Sequence, residues 1–388
     1  MQPFVFNTTA QIVCAPGAAL DLAAACRRLG IGKPLLVTDP GLVAIGLVAP
    51  VVASLAQAGL SPVAFDQVRE DPPEETVLSA AELGGAERVD GVIAVGGGSS
   101  MDVAKVVAVL LGGEQGLADL YGVDQVTGPR LPLVLVPTTA GTGSEVTPVA
   151  VITTGATTKA GISSAWLLPD VAVLDADLTL GLPPAATAMT GVDAMVHAIE
   201  AYTSRHKKNP VSDILARQAL ALLARNIRTA VHDGQNRDAR ANMLLGACLA
   251  GQAFANAPVA AVHALAYPLG GHYHLPHGLT NSLVLPAVMD FNAPVAGELY
   301  AELAEIVTGE PVAGGGEART QALIDAMRQL ISDVALPATL QQARVPEGDL
   351  EMLAGDAMLQ QRLLVNNPRD VTYDDALAIY RAAYWGTA

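Results

Sequence analysis

The stretch GVIAVGGGSSMDVAKVVAVLLGG, Gly91 to Gly113, decides how the first half of this chain is read. Its opening, GVIAVGGG, is a short continuous apolar run ending in three glycines, the pattern of a strand buried on both faces. SMDVAKVVAVLLGG then repeats apolar residues at helical spacing and closes on Gly112 and Gly113. Glycines between a strand and a helix let the backbone approach a ligand closely, and the free amides at the helix start favour an anion such as phosphate. Neither common phosphate motif is present: Met101 stands where the dinucleotide fingerprint has its third glycine, and Lys105 follows no GxxxxG. By itself the loop also fits a plain glycine-rich turn.

Working outward, KPLLVTD (Lys33 to Asp39), PVAFDQV (Pro62 to Val68) and PLVLVPTT (Pro132 to Thr139) read as further strands. Between them, PVVASLAQAG, with Pro50 at a favourable first-turn position, and EETVLSAAEL read as helices. That rhythm predicts a parallel, Rossmann-like sheet covered by helices. After VAVLDADLTLGLPP the chain turns to Ala- and Leu-rich helical patterns such as ATAMTGVDAMVHAIEAYTS and SDILARQALALLARNI. The expectation is an α/β dinucleotide-binding lobe over residues 1–180 and an all-α metal- and substrate-binding lobe over 181–388, with the ligand in the cleft between them.

A formal charge of −16 over 388 residues argues against a nucleic-acid partner or an anionic membrane, since both draw on clustered Lys and Arg. The N-terminus, MQPFVFNTTAQ, lacks the pattern of a secretory signal. The longest strongly apolar run, LVAIGLVAPVVASLA (42–56), is too short to span a bilayer and carries Gly46 and Pro50, so it reads as a loop plus a buried helix. Cys14, Cys26 and Cys248 show no CxxC spacing and read as buried thiols of a reducing compartment, which places the protein in the cytoplasm.

A second loop, PTTAGTGSEVTP (Pro137 to Pro148), offers hydroxyls and backbone amides after the next strand, and two such loops favour a nucleotide crevice. Asp39, ending an earlier strand, is placed like an acceptor for a ribose 2′-hydroxyl and would repel a 2′-phosphate, which favours NAD over NADP. In the helical half, Asp193 and His197 lie four apart on one helix face. HALAYPLGGHYHLPHG (His263 to Gly278) holds four of the chain's seven histidines. Asp193, His197, His263 and His277 together make a donor set suited to Fe(II), Zn(II), Ni(II) or Co(II), and His277 stands at the start of a predicted helix that keeps an imidazole neutral.

These segments together, with GGGSSMDVAK and DAMVHAIEAY, resemble the iron-containing (group III) alcohol dehydrogenase family over essentially the whole chain. The resemblance implies NAD-linked, divalent-metal-dependent oxidation of a small alcohol, or reduction of the matching aldehyde or ketone. The metal is usually Fe(II), held by Asp193, His197, His263 and His277. Its cofactor contacts fall on Asp39, the Gly97, Gly98 and Ser99 turn, Thr138, Thr139, Thr142, Thr147 and Lys159, with Leu178 near the adenine. It also implies a homodimer or higher homo-oligomer. The chain departs from the family at Tyr267, where a histidine near the substrate is usual. Tyr267, with His277, is therefore the candidate for the catalytic proton route, and His272 or His274 would be substitutes from the adjoining loop. Phe254 reads either as a pocket wall or as a core residue. A metal- and NAD-using lyase of the dehydroquinate synthase type is the alternative, but the basic residues such a pocket needs lie mainly in SRHKKNP and ARNIRTA, away from the ligand motifs. A catalytically idle nucleotide-binding protein is the third reading, which the complete ligand set disfavours.

Overall fold

The structure, a computed structural model, describes residues 3–155 and 158–386. The chain divides into two compact units, one spanning Asn7–Gly181 and the other running from Leu182 onward and taking in residues 3–6.

In chain order the first unit contains β1 (Gln11–Cys14), α1 (Leu22–Leu29), β2 (Pro34–Val37), α2 (Pro40–Ala44), α3 (Ala49–Gln57), β3 (Val63–Phe65), α4 (Glu74–Glu87), β4 (Gly91–Gly96) and α5 (Gly98–Gly112). There follow β5 (Gly122–Val123), β6 (Leu133–Pro137), β7 (Val149–Thr154), β8 (Thr158–Ser163) and β9 (Val171–Leu174). Six strands form one sheet in the order β1-β9-β6-β4-β2-β3, and every pairing in it is parallel. Strands β2, β4, β6 and β9 are buried at every residue. Alternate side chains explain why: Leu35, Val37, Val92, Ala94, Leu133 and Leu135 enter a core with Met101 and Val103 of α5, while Leu36, Ile93, Val95, Val134 and Val136 enter another with Leu22 and Val51. Two helical layers thus require the continuous apolar runs seen in the sequence. A second sheet, order β5-β8-β7, contains an antiparallel β7–β8 pair.

The strand order reverses around β2, since β3 lies on one side of it and β4 on the other. Open parallel sheets bind ligands beyond the carboxyl ends of their strands at such a switch point. The chain places Asp39 after β2 and Gly97 to Ser99 after β4 at this position.

The second unit is helical: α6 (Pro184–Thr203), α7 (Pro210–His232), α8 (Arg237–Asn256), α9 (Ala261–Tyr273), α10 (His277–Thr308), α11 (Gly316–Asp333), α12 (Leu350–Ala357), α13 (Gln361–Leu364) and α14 (Tyr373–Trp385). From Gly191 to Thr203 every residue of α6 is buried. Gly191 has no room for a side chain, because a Cβ there would stand 2.7 Å from Met243 and 2.9 Å from Ile227, and α6 packs tightly on α7 and α8 through this point. Among the described residues no single helix is long and apolar enough to cross a membrane. One cysteine departs from expectation: Cys26 and Cys248 are buried, but Cys14 is exposed on the edge strand β1.

Candidate active site

At the carboxyl end of the large sheet the two polar loops meet. Gly97 caps α5 in extended backbone, and a Cβ on Gly98 would lie 2.9 Å from Thr142 Cγ2, so Gly98 admits the threonine loop against the helix start. Ser99, Thr139 and Thr142 are half-buried there, while Thr138 is buried and its amide donates to the Gly96 carbonyl. Beneath the loop lies Lys105, fully buried. Its Nζ donates to Ser144 Oγ (2.7 Å), Thr147 Oγ1 (3.2 Å) and the Val149 carbonyl (2.7 Å). Asp102 completes the group by accepting from Ser144 Oγ (2.6 Å) and the Val151 amide (2.9 Å). Burial pulls the Lys105 ammonium down and pushes Asp102 up, and the two charges counter this in each other. Thr147 therefore faces this interior network with 3% exposure. Lys159 pairs with Asp71 at 2.6 Å, and Leu178 packs on the core under α1 and α3. Asp39 caps α2 by accepting from the Leu42 amide (3.0 Å), so one of its oxygens has a structural task.

In the helical unit, three helices bring the expected metal ligands to one point. Asp193 Oδ1 lies 3.8 Å from His197 Nε2, 4.0 Å from His263 Nε2 and 3.8 Å from His277 Nε2. Asp193, His263 and His277 form the tighter group, with donor atoms all within 4.8 Å of one another. His197 joins from the side, its ring stacked 4.9 Å from that of His263 and 4.3 Å from Phe254. Phe254 is thus a half-buried wall of the cluster rather than a remote core residue. Burial works against the Asp193 charge, but the three imidazoles and the Asn281 amide outweigh it and hold the carboxyl below its ordinary range. A carboxylate and imidazole nitrogens converging on one point suit a divalent cation. Bonds of about 2.1 Å at tetrahedral angles put donors about 3.4 Å apart, about half an ångström inside the separations of the three imidazoles from Asp193 Oδ1.

Tyr267 lies one helical turn after His263 on α9, with its ring 5.8 Å from that of His277. The Arg362 guanidinium stands 5.9 Å from the Tyr267 ring centre. Burial raises the phenol above its ordinary value, and the Arg362 charge and hydrogen bond work in the opposite direction. The other two histidines are not part of the cluster. His272 is on α9 rather than in a loop and pairs with Asp356 at 2.6 Å, while His274 ends the helix with a left-handed backbone, φ 52°.

Three neighbours of the cluster escaped the sequence reading. Glu200, 4% exposed, has Oε2 at 2.6 Å from His263 Nδ1 and accepts from the Val262 amide at 2.7 Å. Asn281 Nδ2 donates to Asp193 Oδ1 at 2.7 Å and lies 3.3 Å from both His263 Nε2 and His277 Nε2. Arg362 is the third. Spacing held a signal for two of them, since Asp193, His197 and Glu200 follow i, i+4, i+7 along one helix and Asn281 is four residues beyond His277. Arg362 had no local signal.

Comparison with known proteins agrees with this geometry. Residues 9–176 match the family described as iron-containing alcohol dehydrogenase, and residues 187–384 match the Fe-containing alcohol dehydrogenase family, C-terminal. A long-chain-alcohol dehydrogenase 1 of Geobacillus thermodenitrificans is 41% identical over 374 residues, 96% of this chain and 94% of its own. A crystal structure of a 1,3-propanediol oxidoreductase superposes with a TM-score of 0.95 at 37% identity, covering 99% of this chain and 100% of that one. A sulfoacetaldehyde reductase of Bifidobacterium kashiwanohense, crystallised with NAD+, reaches a TM-score of 0.89 at 28% identity over 100% of both chains. These relatives are named for oxidation or reduction, which does not favour the lyase alternative. With its parallel sheet, its helical half and both family matches in agreement, the chain belongs to the iron-containing alcohol dehydrogenases, metal-dependent oxidoreductases that act on alcohols.

Proposed function

We propose that this chain uses NAD and a divalent cation, iron(II) first and zinc, nickel or cobalt as substitutes, to interconvert a small alcohol and its aldehyde or ketone. The observation that carries the reading is the convergence of Asp193 with the imidazoles of His263, His277 and His197. When bound, the cation supplies positive charge at the oxygen that changes between hydroxyl and carbonyl, and the nicotinamide supplies or accepts the hydride. In this reading residues 1–180 are the dinucleotide domain and residues 181–388 the metal and substrate domain. The amides of Gly97, Gly98 and Ser99 at the start of α5 take the pyrophosphate, with Thr138, Thr139 and Thr142 around it and Thr147 supporting the loop from beneath through Lys105. Asp39 has a second oxygen beyond its cap to accept from a ribose hydroxyl, Leu178 packs near the adenine, and Lys159 exchanges Asp71 for the cofactor. The reading requires the nicotinamide to reach the Asp193 cluster, where Phe254 closes one side and Tyr267 Oη holds or gives the proton next to His277. A homodimer or higher oligomer and a cytoplasmic address belong to the same proposal, supported by the family resemblance and the lack of CxxC spacing.

A second reading of the substrate is favoured by Arg362. A guanidinium beside Tyr267 suits an aldehyde carrying an anionic group, the chemistry in the name of the sulfoacetaldehyde reductase relative. The test is a panel of short alcohols, diols, aldehydes and anionic aldehydes, assayed by NADH absorbance after anaerobic reconstitution with each metal. Turnover with one class and one metal is expected. Equal activity in thoroughly demetallated protein would overturn the reading, and a preference for anionic aldehydes that survives Arg362→Gln would remove the second.

A further inference from the structure

We propose that Glu200 is a positioning residue that fixes the tautomer of His263, leaving Nε2 bare towards the Asp193 cluster and thereby setting cation affinity. The inference deepens the cation site proposed above. It stands on two sides of one imidazole.

On the outer side, both oxygens of Glu200 face donors. Oε1 accepts from the Val262 amide, one of the amides at the start of α9 that have no partner within their own helix. Oε2 lies 2.6 Å from His263 Nδ1. A carboxylate has only lone pairs to offer, so Nδ1 must carry the ring hydrogen. In the neutral ring Nε2 then has none.

On the inner side, Asn281 is compatible with the same answer. Its Nδ2 has only hydrogens to offer, and the atoms around it are Asp193 Oδ1, His263 Nε2 and His277 Nε2. Turning the amide over would set its oxygen against the Asp193 carboxylate at 2.7 Å, an oxygen–oxygen repulsion. One Nδ2 hydrogen goes to Asp193 and the other is shared between two Nε2 atoms at equal distance, an arrangement that a bare His263 Nε2 fits and a hydrogen there would crowd. Glu200 reaches His263 across 63 residues of sequence and is 4% exposed, so water cannot replace it cheaply.

Glu200→Gln is the discriminating change because it preserves shape and leaves one acceptor for two donors. If its oxygen keeps the Val262 amide, its NH2 faces Nδ1 and the ring must move its hydrogen to Nε2. If its oxygen keeps Nδ1, two N–H groups collide at Val262. The first readout needs no metal: 15N spectra of histidine-labelled, metal-stripped protein, with His263 assigned by loss of its signals in His263→Asn. Wild type should show Nδ1–H, and Glu200→Gln should shift it towards Nε2–H. The second is Co(II) affinity by competition with a chromophoric chelator, expected to fall about 10- to 100-fold in Glu200→Gln. An Nε2–H tautomer in wild type, or an unchanged tautomer and Co(II) affinity in the variant, overturns the proposal. An Nε2–H tautomer in wild type overturns it even if the variant does not fold. A wild-type protein that has the expected tautomer but takes up no Co(II) instead sinks the cation site and spares the tautomer assignment.

Discussion

A methyl group added at Gly278 would stand 2.2 Å from the carbonyl oxygen of Met189 and 2.6 Å from its carbonyl carbon. Comfortable contact is about 3.5 Å, so Gly278→Ala is short by about 1 Å. Neither obstacle can rotate away, because both are backbone of α6. The start of α10 must part from α6, and it carries His277 one residue before the change while α6 carries Asp193 four residues after the obstacle. Metal–ligand bonds tolerate about 0.2 Å, so a displacement of this size takes His277 out of reach of the ion held by the others. Overpacking of this kind costs about 1–3 kcal/mol, which predicts cation affinity about 10- to 100-fold weaker and a Tm lower by roughly 1–4 °C. Gly297→Ala is the control in the same helix, since the nearest atom to its added methyl, Thr320 Oγ1, is 3.4 Å away, an ordinary van der Waals distance that asks nothing to shift. Chelator competition and thermal denaturation read both variants. A Gly278→Ala protein that binds Co(II) as tightly as wild type and melts at the same temperature would show that α6 and α10 do not meet as described.

The same structure sets three other expectations. Asp39→Asn keeps the cap on α2 but removes the charge, so the NADP-to-NAD ratio of kcat/KM should rise by more than about tenfold while Tm holds, because like-charge contact costs several kcal/mol; an unmoved ratio would detach Asp39 from the ribose. Burial pushes the Glu145 carboxyl from 4.5 up to about 7, so folding takes up a proton across that window and this group's contribution to stability falls as pH rises, by about 3 kcal/mol in all. Glu145→Gln should therefore flatten the decline in Tm between pH 5 and pH 8, and an equally steep decline in the variant would place the titration elsewhere. Tyr267→Phe removes the one hydroxyl beside His277 on α9 and should lower kcat by about 10²-fold at unchanged metal content; full kcat would leave Tyr267 with packing alone.

Much of the fold was legible because the parallel strands are buried on both faces and so announce themselves as uninterrupted apolar runs. The edge strand β1 does not, since QIVC is only partly covered and sits among polar residues. The β7–β8 pair also escaped, because its threonines read as a continuation of the hydroxyl-rich loop. Helix α9 was hidden by Pro268 and the glycines after it, and α10 runs through Pro286 and Pro294 without ending. Long buried helices tolerate such residues when tertiary packing supplies what the lost hydrogen bond does not. At the candidate site, local spacing carried the Asp193–His197 pair and the histidine-rich segment. What spacing could not carry is contact across the chain, such as Glu200 against His263 or Arg362 against Tyr267, which depends on how separate helices pack.

The buried ammonium of Lys105 has a consequence for anyone who wishes to redesign cofactor preference. It fastens the turn at Ser144 and Thr147 to α5 and to the first residue of β7, with Asp102 as its counter-charge. Loop and helix are therefore one module. A graft of residues 138–147 from a relative without these two hydroxyls would take two of its three hydrogen-bond acceptors from the buried cation and one donor from Asp102, so such a transplant must carry positions 102 and 105 along with it.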